Sequence, residues 1–324
     1  MTVYQNYYSM KFYLGVTDLE WFRFLSKRKN EDINFWQPGG KANFRVISPG
    51  SPFLFKLKSP INAIAGVGFF SSHAILPINV AWSIFQERNG VSSFKLFLKK
   101  ILNYRSASNP FHANPNVGCI ILTDPIFFQK EDWINVPADW NRSIVQGKSY
   151  TTDNMIGARL WENVEAVLYK YRFFTREESS KSQLMLSNSD QVYTKKYLTK
   201  VRLGQSAFRV QLTDAYTRRC SVSGERTLPA LEAAHIKPYA ESGPYYLSNG
   251  IMLRADIHKL YDAGYLTFTK DYKIEISNRI KEEFENGRAY YNYHGKPLLI
   301  LPQNDSDRPS SEYIEWHNNN IYNG

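Results

Sequence analysis

The stretch "LEAAHIKPYAESGPYYLSNGIMLRADIHKLYD", from Leu231 to Asp262, constrains this chain more than any other feature. "LEAAHI" reads as a short strand reaching His235. "KPYAESGPYYLSNG" is a loop, with Pro238, Gly243 and Pro244 as turn residues. Asn249-Gly250 makes a turn, Ile251 to Leu253 a second short strand, and Ala255 to Ala263 a helix, with Gly264 suited to the position just past its end. The order is strand, loop, strand, helix, and paired strands bring the first strand's end and the helix together.

That order gives the histidines a chemistry. His258 and Asp262 stand at i and i+4, so imidazole and carboxylate share one helix face within reach of one ion. His235, 23 residues earlier, approaches from the strand. A divalent ion beside a phosphodiester neutralises charge and stabilises the leaving oxygen. A neutral imidazole opposite takes a proton from the attacking water. A single histidine is more often a packed or solvated residue than a ligand; the order of the whole stretch decides.

The ordered residues, Cys220-Ser-Val-Ser-Gly-Glu, then LEAAHI-K-P, SNG and IMLRADIH-KLYD, resemble the HNH nucleases, and within them the restriction-type branch. The resemblance covers roughly Arg202 to Ile276 and implies a ββα-metal fold. It implies His235 as the general base and Asn249 as the residue that ties the loop to the backbone and orients the base. It places His258 at a metal-ligand position and Asp262 at a second helix ligand. Two departures stand out. Many members carry an acid or His before the base, where this chain has Ala234, leaving Asp262, water and Glu232 to complete the shell. Many carry two CxxC pairs for a structural zinc, where Cys220 stands alone with Ser223 in the second place, so no structural zinc is expected. The metal implied is Mg²⁺, with Mn²⁺ or Ni²⁺ as alternatives suited to an imidazole ligand. Lys237 and Arg254 flank the site as candidates for holding phosphate; plain solvation is the competing reading. For His317, a structural place beside Trp316 outweighs a place at the site's edge; His112 and His294 have no evident partner.

Charge points the same way. The chain has net charge +10 and pI about 9.3. A basic balance of this size suits a polyanion such as nucleic acid. From Lys195 to Lys237 there are nine Lys and Arg against three Asp and Glu, so +6 of that charge lies in and before the motif. Arg218 and Arg219 are the DNA-binding candidates there. Only Cys119 and Cys220 are present, which gives no disulfide framework and suits a reducing, cytoplasmic setting. The N-terminus lacks a signal-peptide pattern, and no apolar run reaches the roughly 18 residues of a membrane span.

A length of 324 residues favours two domains. "TREESSKSQLMLSNSDQ" is rich in Ser and charge, and marks a linker over 176–194 between domains at 1–175 and 195–324. In the first domain, "PFLFKLKSPINAIAGVGFF" predicts two strands around a turn at Ser59 to Asn62. Pro77 to about Tyr104 predicts helix, capped by Asn79, with a second stretch from Ser92 to Leu102 that places Phe94, Phe97, Leu98 and Ile101 on one face; "VGCIILTDPIFF" predicts a buried strand ended by Asp124-Pro125. In the second, Val201, Phe208, Leu212 and Tyr216 are nearly in register for a helix entering the domain.

The N-terminal segments "FWQPGGKANF", "FLFKL…IAGVGFF", "AWSIFQERNG" and "GCIILTDPIFF" resemble, more weakly, the PUA-like barrels of the EVE, ASCH and SRA group, which read modified bases. This resemblance implies a base pocket with Trp36, Phe69, Phe70, His73 and Trp82 as candidates, although each aromatic taken singly is more often core. The whole reading is an α+β chain: a PUA-like barrel with helices, then a ββα-metal nuclease. The expected function is a modification-dependent restriction endonuclease acting on double-stranded DNA with modified cytosine, as a homodimer where both strands are cut. Two alternatives stay open: an HNH nuclease without modification specificity, from a mobile element or phage defence, and a nucleic-acid-binding protein with a degenerate HNH fold.

Overall fold

Successive residues of a strand face opposite sides of its sheet, and in the first strand both sides carry large apolar groups. Phe12 and Leu14 point to one side and Tyr13 to the other, and all three are buried. A sheet built from such strands needs cover on both faces. In the computed structural model, which describes residues 9–40, 43–105, 114–177 and 205–324, it has that cover.

The chain divides into two units, 1–202 and 203–324. The first holds β1 (Lys11–Thr17), α1 (Leu19–Ser26), β2 (Asp32–Gln37), β3 (Pro52–Leu57), β4 (Ala63–Pro77), α2 (Ile78–Phe85), α3 (Phe94–Tyr104), β5 (Asn116–Phe127), β6 (Ile134–Asn135), β7 (Gly147–Thr151) and α4 (Met155–Glu177). The strands form one sheet in the order β2-β5-β4-β3-β1-β7, with β6 paired to β4. β1 and β3 are parallel; the other pairs are antiparallel. One face packs Tyr13, Phe35, Phe53, Phe55 and Leu122 under Trp21, Phe22 and Leu25 of α1. The other packs Phe12, Leu14, Leu54 and Val67 under Leu160, Trp161 and Val164 of α4. The path is open, with β2 and β7 at its ends. The α+β class holds; the closed barrel implied by the resemblance is not seen among the described residues.

The strand pair around Ser59–Asn62 forms as the alternation predicts. Two local expectations change. Asp124-Pro125 does not end β5: Thr123 pairs with Phe69 and Ile126 with Val67, and the two residues between sit in a bulge with Asp124 at φ 47°. A bulge tolerates a proline that a regular ladder would not. The two helical stretches expected between Pro77 and Tyr104 form as α2 and α3, separated where Gly90 takes φ 76° and Ser93 caps α3. Asn79 does not cap α2: Pro77 precedes the helix, and Asn79 Oδ1 accepts from the neighbouring Val80 N–H instead.

The second unit holds α5 (Gln205–Ala215), β8 (Leu231–His235), β9 (Gly250–Arg254), α6 (Ala255–Asp262), β10 (Leu266–Phe268), β11 (Ile274–Ile276), α7 (Arg279–Phe284), α8 (Arg288–Tyr291) and α9 (Ser311–Asn320). β8 and β9 pair antiparallel, with His235 opposite Gly250 and Glu232 opposite Leu253. α6 follows β9 without a linker and packs on both strands. Phe208 and Leu212 of α5, Ile251 and Leu253 of β9, and Ile257 and Tyr261 of α6 fill the core between them. Gly264 ends α6 at φ 76°, and a Cβ there would meet the Ile321 carbonyl oxygen at 2.1 Å. The expected linker lies largely outside the described residues, as do Lys195, Lys196, Lys200, Val201, Arg202 and His112. No described helix is long and apolar enough to cross a membrane.

Candidate active site

Glycine at 250 allows the site to close. A Cβ there would meet the Phe208 ring at 2.6 Å, so only glycine lets that ring lie over the end of β9. Phe208 then stacks on the imidazole of His235, with centroids 4.3 Å apart and planes 17° apart. Tyr245, from the loop, meets the same imidazole edge-on at 5.1 Å. His235 Nε2 is buried, with no hydrogen-bond partner among the described residues. Burial lowers the pKa of His235 below the ordinary histidine value; the neighbouring His258 adds to the shift and Asp262 opposes it. The ring is therefore neutral near pH 7 and able to accept a proton.

Asn249 is fully buried and clamps the loop that follows β8. Its Oδ1 accepts from the Lys237 N–H at 2.9 Å, and its Nδ2 donates to the carbonyls of Lys237 at 3.0 Å and Pro244 at 2.9 Å. The Ile236 N–H donates to the Asn249 carbonyl. Ile236 and Lys237 directly follow β8 and Asn249 directly precedes β9, so the asparagine fixes the chain immediately after His235.

The helix supplies the second group. His258 Nδ1 lies 2.7 Å from Glu232 Oε2, and its Nε2 lies 3.2 Å from Asp262 Oδ2. Burial pulls the His258 pKa down, but hydrogen bonds that its ring donates to the Asp262 and Glu232 carboxylates, with their negative charge, outweigh it and the net shift is upward. Adjacent oxygens around a small cation such as Mg²⁺ lie about 2.9 Å apart, close to the Nε2–Oδ2 separation. The Glu232 carboxylate on Nδ1 suits the partner that fixes a ligand histidine's tautomer. Among the described residues no three His, Cys, Asp or Glu side chains stand as a ready ligand set. The donors that could share an ion here are His258 and Asp262, with water completing the shell and Glu232 behind the histidine.

The expected phosphate contacts divide. Lys237 Nζ lies 5.5 Å over the Trp316 ring. Arg254 is committed: its Nε and Nη2 donate to Asp256 at 2.6 and 2.8 Å, and Tyr290 donates to the same carboxylate. Arg218 is exposed at φ 59°, 3.6 Å from Asp214, and Arg219 is half-buried. His317 is structural: it stacks on Tyr261 at 3.8 Å, and its two nitrogens meet Thr267 Oγ1 and the Tyr261 carbonyl. His294 Nδ1 accepts from the Ile276 N–H. Cys220 is buried, and its Sγ accepts from the Ser223 and Arg254 N–H groups.

The first unit has a separate candidate site. A cavity of about 1130 Å³ opens over the aromatic face of the sheet. Trp36 lines it; Phe69, Phe70, His73 and Trp82 do not. Phe69 and Phe70 are buried at 4 % exposure each, Phe70 against Phe44. His73 packs beside Phe44, and its Nε2 is buried with no hydrogen-bond partner among the described residues. Trp82 packs on Phe94 and Phe97. The resemblance offered these rings of β4 and α2, whereas the cavity wall is assembled from distant segments. It includes Tyr13, Lys56, Asn62, Tyr104 and Trp140, none of which carries a local signal.

No curated protein matches the chain. Among solved structures it is similar to the ASCH protein of Zymomonas mobilis, with 14 % identity over 41 % of this chain and 85 % of that one and a TM-score of 0.28. A mutant of that ASCH protein gives 9 % identity, 47 % and 95 % coverage and a TM-score of 0.31. It is also similar to the modification-dependent TagI restriction endonuclease, with 13 % identity over 95 % of this chain and 81 % of that one and a TM-score of 0.29. At such TM-scores the likeness fixes neither fold nor activity. The ββα segment is different: residues 220–269, which carry His235, Asn249, His258 and Asp262, match the family model of the HNH endonucleases.

Proposed function

We propose that this chain is a modification-dependent DNA endonuclease, with a base-reading domain at 1–175, a linker at 176–194 and a nuclease domain at 195–324. The observation that carries the nuclease is the neutral, clamped His235 at the end of β8 beside the His258–Asp262 pair of α6. The Nε2 of His235 makes no hydrogen bond to another protein group among the described residues, so it is available to a water in the site. In this reading His235 accepts the proton of the attacking water. Phe208 and Tyr245 hold the ring's plane, and Asn249 holds the backbone that carries it. Glu232 keeps the proton of His258 on Nδ1, which leaves Nε2 as a ligand beside Asp262. A divalent ion bound there, Mg²⁺ in the first instance, supplies charge neutralisation at the phosphodiester and at the leaving oxygen. Lys237 remains a phosphate contact. Arg254 instead braces Asp256 at the start of α6.

The reader rests on the aromatic cavity of the first unit. A base taken out of the duplex must recover its lost stacking, at about 1–3 kcal/mol per aromatic contact. Trp36, Tyr13, Tyr104 and Trp140 offer rings for that purpose. Modified cytosine is the proposed base, and paired cutting of both strands calls for a homodimer. The test is cleavage with Mg²⁺ or Mn²⁺ of matched plain, methylated, and hydroxymethylated and glucosylated DNAs. Cutting confined to modified DNA supports the whole assignment. Equal cutting of all leaves a nuclease without modification specificity. The lack of a three-residue ligand set among the described residues favours a further alternative, a binding protein with a degenerate site; absence of cutting with any metal would establish that one.

A further inference from the structure

The cavity wall contains a lysine that a purely aromatic pocket would not need. Lys56 lies on β3, is only 4 % exposed and lines the cavity. Its Nζ donates to Asn62 Oδ1 at 2.7 Å and sits 5.2 Å from the centroid of the Trp140 ring. An ammonium has three donors. Asn62 is its one hydrogen-bond acceptor among the described residues, so donor capacity remains at the wall of the cavity. Burial lowers the Lys56 pKa, which records the desolvation the charge already bears.

A ligand entering the cavity displaces water from this ammonium. A methyl group gives nothing in return, and the charge is left poorly solvated. An oxygen restores a charge-assisted hydrogen bond. Room is not limiting: at about 1130 Å³ the cavity is at or above the upper end of ligand pockets, about 300–1,000 Å³, so it admits a base with a bulky substituent.

Resting on the reader assigned above, we propose that Lys56, held by Asn62 and Trp140, makes this cavity select cytosines whose modification carries an oxygen acceptor, hydroxymethyl or glucosylated, over methylcytosine. Lys56 is then the specificity-determining residue of the first unit.

The experiment is equilibrium binding of the full chain, with EDTA to prevent cleavage, to one duplex carrying cytosine, methylcytosine, hydroxymethylcytosine or glucosylated hydroxymethylcytosine at a single position. The oxygen-bearing duplexes should bind about tenfold more tightly than the methylated one. Lys56→Met should reduce that ratio to within about twofold, with an unchanged or raised melting temperature, since a buried charge is removed. Methylcytosine bound as tightly as hydroxymethylcytosine overturns the inference, because the lysine would then be reading an atom common to all cytosines or none; the reader itself would stand. Full discrimination by a folded Lys56→Met protein overturns the role of Lys56. No preference for any modified duplex overturns the reader, and the inference with it. The wild-type order by itself can overturn the selectivity, and Lys56→Leu, read by the same ratio, tests the role of Lys56 where Lys56→Met does not fold.

Discussion

The two candidate sites of this protein are built in opposite ways. The site of the second unit comes from a nearly continuous run: β8, its loop, β9 and α6 supply Glu232, His235, Asn249, His258 and Asp262. The cavity of the first unit draws Tyr13 from β1, Trp36 from β2, Lys56 from β3, Tyr104 from α3 and Trp140 from the segment before β7. A local site is positioned by one hairpin and one helix, so its geometry survives wherever that motif folds. A dispersed site exists only when the whole sheet has formed. The first suits chemistry that tolerates little displacement. The second suits recognition, where exchanging one wall residue changes the ligand and leaves the fold.

If that contrast holds, each site can be disabled without the other. The largest effect belongs to His235→Ala, which should lower metal-dependent cleavage by roughly 10²–10⁴-fold and leave DNA affinity unchanged in EDTA. Cleavage retained by this variant would remove His235 as the base.

Acid should separate the units by stability. His317 is buried, and its pKa falls to about 4, chiefly through burial and against the Tyr261 carbonyl and Asp262, which pull it up. A histidine ordinarily titrates near 6.5. Its depressed folded value means the unfolded chain binds more protons between those two values. The stability it contributes is whole above about pH 6.5 and is lost as pH falls toward about 4, up to ~3 kcal/mol. Thermal melts across that window should show the second unit weakening, and His317→Gln should flatten the dependence. An unchanged slope in the variant would assign the loss elsewhere.

Smaller effects test the parts within each site. Glu232→Gln should weaken metal affinity by about tenfold or somewhat more, read from the Mg²⁺ dependence of cleavage, with the maximal rate less affected. An unaltered titration would mean Glu232 does not orient His258. Trp140→Ala should weaken binding of modified DNA by about tenfold while residual cleavage at saturating DNA keeps its metal dependence; a simultaneous loss of the chemistry would contradict the separation of the sites. Lys237→Ala should reduce the salt slope of DNA binding by about one, uniformly across plain and modified duplexes.

How much of this was legible beforehand follows the same division. The order strand, loop, strand, helix could be read in the second unit because every signal was local: Pro238, Gly243, Pro244, Asn249-Gly250 and Gly264 punctuate it. The i and i+4 spacing placed His258 beside Asp262, and β8 alternation placed Glu232 on the face of Ala234, where it meets His258. The commitment of Arg254 to Asp256 had a local signal too, two residues away, but whether a surface arginine turns to a neighbour or to solvent is set by packing around Tyr290. In the first unit the strands could be found but not the wall of the cavity. The resemblance to PUA-like readers offered Phe69 and Phe70 as pocket residues, yet β4 is covered on both faces and both are core.

The sequence alone therefore determined the ββα order, the convergence of its imidazole and carboxylate groups, and the basic character of the chain, because each depends on residues within a few turns or one hairpin of each other. Only the tertiary structure decided that Phe208 and Tyr245 pin the imidazole of His235, that Arg254 is occupied, and that Lys56 lies in an aromatic wall with Asn62 and Trp140. Those contacts join segments far apart in the chain, and side-chain periodicity carries no information about which distant face will meet which.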